Sequence, residues 1–100
     1  MLTILAVEQV ERSRDFYARA FGWEQVVAVP VYVEFTLPGG MLVGLYERAG
    51  FGRNTGQVPE RLAPGALAPT ELYFHVSDVG AAIDRLTAAG GRLLSPLAPR

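Results

Sequence analysis

The spacing of hydrophobic and polar residues changes character several times along the chain. Residues 2–7, "LTILAV", are a short apolar run of strand length. In "EQVERSRDFYARAFGW" the period shifts. Val10, Phe16, Tyr17, Ala20 and Phe21 recur at helical spacing, while Arg12, Arg14, Asp15 and Arg19 fill the other faces. This predicts an amphipathic helix that Gly22 stops. The aromatic residues Phe16, Tyr17, Phe21 and Trp23 are expected in the core. "WEQVVAV" and "VYVEFTL" are β-rich, with Pro30 marking a turn or bulge between them. "PGG" at 38–40 is turn chemistry, and "MLVGLYE" predicts a further strand.

Residues 48–69 are rich in glycine and proline and show almost no apolar periodicity. They are expected to form a long connection. Within it, "AGFGRNTG" lacks the strand-before and helix-after setting of a phosphate loop, so it reads as loop and as a candidate flap. "ELYFHV" at 71–76 predicts another strand. Asp78 is placed to cap a helix over "VGAAIDRLTAAG", and "GRLLS" predicts a strand before Pro96.

The resulting order is β-α-β-β-β, connection, β-α-β. A shift of 69 residues pairs Val7 with Val76, Val10 with Val79, Asp15 with Asp84, Ala20 with Ala89 and Gly22 with Gly91. The identities fall where strand, cap, helix and stop signals also match, which points to an internal repeat. The expectation is an α+β protein of paired βαβββ modules. Residues 1–47 form the first, 48–69 the linker, and 70–100 the start of a second. A second unit of equal length would run past Arg100, so its last two strands are expected from further chain or from another chain.

Composition narrows the classes of function. One hundred residues, half of them hydrophobic and 19% charged, suit one small globular domain. The net charge of −1 offers no field for nucleic acid or anionic lipid, so neither partner is expected. With no cysteine, thiolate nucleophiles, disulfides and cysteine-bound zinc are excluded. No apolar run approaches the roughly 18 residues of a membrane span, and the start does not read as a signal peptide. A cytoplasmic location is the default expectation.

Strand alternation supplies the candidate site. Side chains along a strand alternate between two faces. Val31, Val33 and Phe35 oppose Tyr32, Glu34 and Thr36. Met41, Val43 and Leu45 oppose Leu42, Gly44 and Tyr46. Leu72, Phe74 and Val76 oppose Glu71, Tyr73 and His75. In each strand one set is purely hydrophobic and belongs under a helix. The other set mixes aromatics with acids and one histidine, which is not the make-up of a dry core. Tyr32, Glu34, Tyr46, Glu71, Tyr73 and His75 therefore line either a ligand cavity or a solvated sheet face. His75 is the only histidine. On one strand, Glu71 and His75 would lie about 13 Å apart between Cα atoms. That is too far to share an ion easily. His75 reads either as a hydrogen-bonding or proton-shuttling group at a cavity rim, or as a surface residue near a strand end.

The segments "LAVEQVERSRDFYARAFGWEQ" and "ELYFHVSDVGAAIDRLTAAGGR" resemble the two module openings of the vicinal oxygen chelate superfamily. That superfamily includes glyoxalase I, extradiol dioxygenases and bleomycin-resistance proteins. The resemblance implies paired βαβββ modules whose sheets curl into a ligand-holding cup, and it favours the cavity over the solvated face. It also implies metal-ligand positions at Leu2, Gly44 and Glu71, with a fourth beyond Arg100. Only Glu71 of these can coordinate, so no metal site and no cofactor are expected. The resemblance then implies a small-molecule-binding protein of the antibiotic-sequestering kind, for a partly aromatic or cationic organic ligand. The alternative is a metal-dependent lyase, isomerase or dioxygenase whose missing ligands come from another chain or from residues beyond 100. Relatives often build their cups across a dimer, which implies a homodimer.

Overall fold

The computed structural model describes residues 1–73 and 75–94. Seven elements follow in order: β1 (Leu2–Val7), α1 (Val10–Phe21), β2 (Glu24–Val29), β3 (Tyr32–Thr36), β4 (Leu42–Glu47), α2 (Arg48–Thr55) and α3 (Val79–Ala88). The strands form one sheet in the order β1-β4-β3-β2. β1 runs parallel to β4, with Ile4 beside Gly44, and α1 makes the crossover such a parallel connection requires. β2, β3 and β4 are antiparallel neighbours, and a bulge between Gln25 and Val27 breaks the β2–β3 register. This is the βαβββ module expected from residues 1–47.

Local chemistry accounts for the boundaries. Gly22 ends α1 in the left-handed region (φ 67°), and its N–H donates to the Ala18 carbonyl at 2.8 Å. The Pro38–Gly40 turn joins β3 to β4, and Leu37 N–H donates to the Met41 carbonyl at 2.7 Å. Asp78 caps α3 by accepting from Ala81 N–H at 3.0 Å.

One face of the sheet is the core. Val33, Phe35, Val43 and Leu45 are buried together with Val10 of α1, and Leu5, Val7, Tyr17, Trp23 and Leu37 pack around them. Each such aliphatic or aromatic side chain contributes about 1.5–3 kcal/mol when fully buried. The expected aromatic cluster is present. Phe21 and Trp23 stack at 4.3 Å between ring centroids, and Trp23 leans on Phe35 at 6.3 Å.

Three expectations of secondary structure are corrected. Residues 48–55 were expected as loop but form α2. Glu47 accepts from Ala49 N–H at 2.8 Å and so caps it. Its glycines, poor helix formers in isolation, let the helix sit close to its neighbours. A Cβ on Gly50 would fall 2.6 Å from Tyr46 Cε1, and one on Gly52 would fall 2.8 Å from Val58 Cα. Second, none of residues 71–73, 75 and 76 is in a strand, and Phe74 lies outside the described residues. Third, residues 91–94 are not in a strand, and Ser95 lies outside the described residues. A strand needs a hydrogen-bonded neighbour, and these segments have none among the described residues. α3 does pack on α1, and Arg85 Nε–H reaches the Ala20 carbonyl at 3.4 Å.

Candidate functional site

The second face of the sheet carries Tyr32, Glu34 and Tyr46, as strand alternation predicts. Register brings them together. Tyr32 pairs with Tyr46 across the β3–β4 ladder, and Glu34 pairs with Gly44. All three side chains are half-buried, and Gly44 is buried.

Gly44 organises the group. A Cβ there would come within 2.8 Å of Tyr32 Cε1 and Cζ, so the ring of Tyr32 lies in the space that any other residue would fill. From there its hydroxyl donates to Glu34 Oε1 at 2.7 Å. Burial, the hydrogen bond to Glu34 and the nearby negative charge push the Tyr32 phenol up to about 12. Tyr32 is therefore a neutral donor at every physiological pH. The Tyr46 ring meets Tyr32 edge-on at 5.3 Å and Phe51 of α2 at 6.5 Å. This patch combines flat apolar surface, one fixed hydroxyl and one carboxylate whose second oxygen has no hydrogen-bond partner among the described residues.

The other candidates stand on the segment before α3. Glu71, Tyr73 and His75 are exposed, and Tyr73 and His75 meet edge-on at 5.6 Å. Leu72, by contrast, is half-buried, while Val76 is exposed like its neighbours. Among the described residues, no hydrogen bond or ring contact joins this trio to Tyr32, Glu34 and Tyr46. The structure thus joins Tyr32, Glu34 and Tyr46 in one group and Tyr73 with His75 in another, with no contact given for Glu71.

The ligand positions implied by the resemblance do not make a cation site. Leu2 has no donor atom, and its ladder partner is Leu42. Gly44 has no side chain, and Tyr32 occupies the space beside it. Glu71 stands in the exposed segment. Among the described residues, no three of the types His, Asp and Glu are close enough to hold an ion. The donor set of the described residues does not fit a divalent metal.

Sequence reasoning missed two features. The covering of Gly44 by Tyr32 needed register, which the sequence does not print. The second is an arginine cluster. Arg48 Nε lies 3.0 Å and Arg61 Nε 3.2 Å from Glu8 Oε1, joining the end of β1, the start of α2 and the following loop. Arg48 also donates to the Pro59 carbonyl at 2.8 Å. No residue spacing signals that convergence.

The profile of the Glyoxalase/Bleomycin resistance protein/Dioxygenase superfamily matches residues 2–100. Solved structures agree. A glyoxalase-related enzyme from Fulvimarina pelagi is 26% identical, with a TM-score of 0.71 over 98% of this chain and 70% of its own. A glyoxalase/bleomycin resistance protein/dioxygenase from Nocardioides is 24% identical, with a TM-score of 0.75 over 100% of this chain and 67% of its own. TioX from Micromonospora sp. ML1 is 21% identical, with a TM-score of 0.61 over 100% of this chain and 79% of its own. No curated protein shows significant similarity.

Proposed function

The chain belongs to the glyoxalase/bleomycin resistance/dioxygenase superfamily, and from that premise we propose that it binds a small organic molecule without a divalent metal. The arrangement around Gly44 carries this reading. A superfamily site that works through an ion needs donors on its inner strands, and here an aromatic ring fills that place. What the patch offers instead is recognition. Tyr32 and Tyr46 present faces for an aromatic body, and Glu34 presents a carboxylate for a cationic group. In this reading Glu71, Tyr73 and His75 supply a second wall. They close on the ligand from the segment before α3, or from a second copy of the chain in a homodimer.

The family hosts many chemistries, so membership alone does not choose among them. Isothermal titration with a panel of cationic aromatic amines, after dialysis against a chelator, tests the proposal. The expected result is saturable binding of at least one member by metal-free protein. Stoichiometric Fe, Ni, Mn or Zn in the purified protein, with no binding once it is stripped, would overturn it.

A further inference from the structure

The bulge in β2 puts a second glutamate on the face that bears Glu34. The antiparallel ladder pairs Val27 with Glu34 and Glu24 with Thr36, and paired residues share a face. Glu34 and Thr36, two apart on β3, share it as well. Glu24, Val27, Glu34 and Thr36 therefore stand together. On an unbroken strand Glu24 and Val27, three residues apart, would point opposite ways. The register shift between Gln25 and Val27 turns Glu24 to the side of Glu34.

Glu24 and Glu34 lie on one diagonal of this group, and diagonal neighbours on a sheet are about 7–8 Å apart. Thr36 and Val27 lie on the other. Val27 is 39% exposed, so apolar surface is open beside the carboxylates. One oxygen of Glu34 is held by the Tyr32 hydroxyl at 2.7 Å, and the other is free among the described residues. Glu24 is exposed and has no hydrogen-bond or ion-pair partner among the described residues. None of the four strands contains an arginine or a histidine, and the chain has no lysine. No sheet residue therefore offsets the two negative charges. A ligand with one positive group can pair with Glu34 and leaves Glu24 to water. A ligand with two positive groups on an apolar body can engage both, with the body over Val27.

We propose that Glu24 is a specificity-determining residue of this site, and that the ligand class it selects is an organic dication rather than a monoamine. This rests on the reading of the Tyr32 face as an amine site.

Isothermal titration of the full chain, with chelator present, compares para-xylylenediamine with para-methylbenzylamine, which has the same ring and a single amine. The diamine is expected to bind about fivefold or more tighter, from one added exposed ion pair and two equivalent ends. Glu24→Gln should cut that ratio to about twofold, the share due to equivalent ends alone, and leave the monoamine unchanged. Glu24 is exposed and unpaired, so this variant should fold. Glu11→Gln makes the same change in net charge on α1, across the sheet, and should leave the ratio as in the wild type. Equal binding of the two amines, a ratio that survives Glu24→Gln, or an equal drop in Glu11→Gln would overturn this proposal and leave the amine site standing. Binding of neither amine by the wild type would overturn the amine site, and this proposal with it.

Discussion

Tyr32 reaches its position because its neighbour across the ladder, at residue 44, has no side chain. Gly44→Ala would drive a methyl group into the Tyr32 ring. The expected loss is about 1–3 kcal/mol by denaturant unfolding. Tyr32→Ala in the same chain should remove most of that penalty, a coupling that a double-mutant cycle measures directly. The hydroxyl makes a separate contribution. Tyr32→Phe leaves the ring but deletes the donor to Glu34, and should cost about 0.5–1.5 kcal/mol at neutral pH. The phenol is raised from 10.0 to about 12 in the folded protein. Between those values the folded state holds a proton that the unfolded state has released. Stability from this group is therefore complete below pH 10 and falls as pH rises towards 12. Unfolding curves across that window should show a steeper alkaline loss in the wild type than in Tyr32→Phe. Tyr17, also raised by burial, contributes equally to both chains and cancels.

At the scale of elements, alternation along β3 and β4 decides which residues are structural. Leu45→Ala should cost about 2–5 kcal/mol, because Leu45 is fully buried (0% exposed). Leu2→Ala, on a residue 42% exposed, should change stability by no more than about 0.5 kcal/mol. Thermal or chemical unfolding of the two variants separates them. This two-faced pattern was legible in the sequence because its period of 2 is short and local. So were α1, stopped at Gly22, and α3, capped by Asp78. α2 was not legible. Gly50 and Gly52 look like helix breakers when propensity alone is counted. Their reason is tertiary: Tyr46 and Val58 press against the helix where a side chain would stand. The segment 71–76 failed in the opposite direction. Its alternation is that of a strand, but strand formation depends on a partner that no local pattern reveals. The candidate site divides in the same way. Tyr32, Glu34 and Tyr46 share a face that parity alone identifies. Their contact over Gly44, and the arginines meeting at Glu8, depend on register and on the path of a loop.

The described residues form a βαβββ module followed by two helices, α2 against β4 and α3 against α1. Two sheet edges are open among the described residues, at β1 and β2. Unpaired edges invite pairing with another chain, and Ile4 and Val29 are 37% and 51% exposed on them. A homodimer is the expected state, which light scattering at micromolar concentration checks; a strict monomer would contradict it. The central proposal is that the face bearing Tyr32, Glu34 and Tyr46 recognises an organic cation directly, with no metal between. The most direct measurement is a thermal-shift series with cationic aromatic amines, run with chelator present on the wild type and on Glu34→Gln. The account predicts stabilisation of the wild type, with apparent affinity about tenfold or more weaker in the variant. Stabilisation that requires a divalent metal, or that is identical in the two proteins, would contradict it.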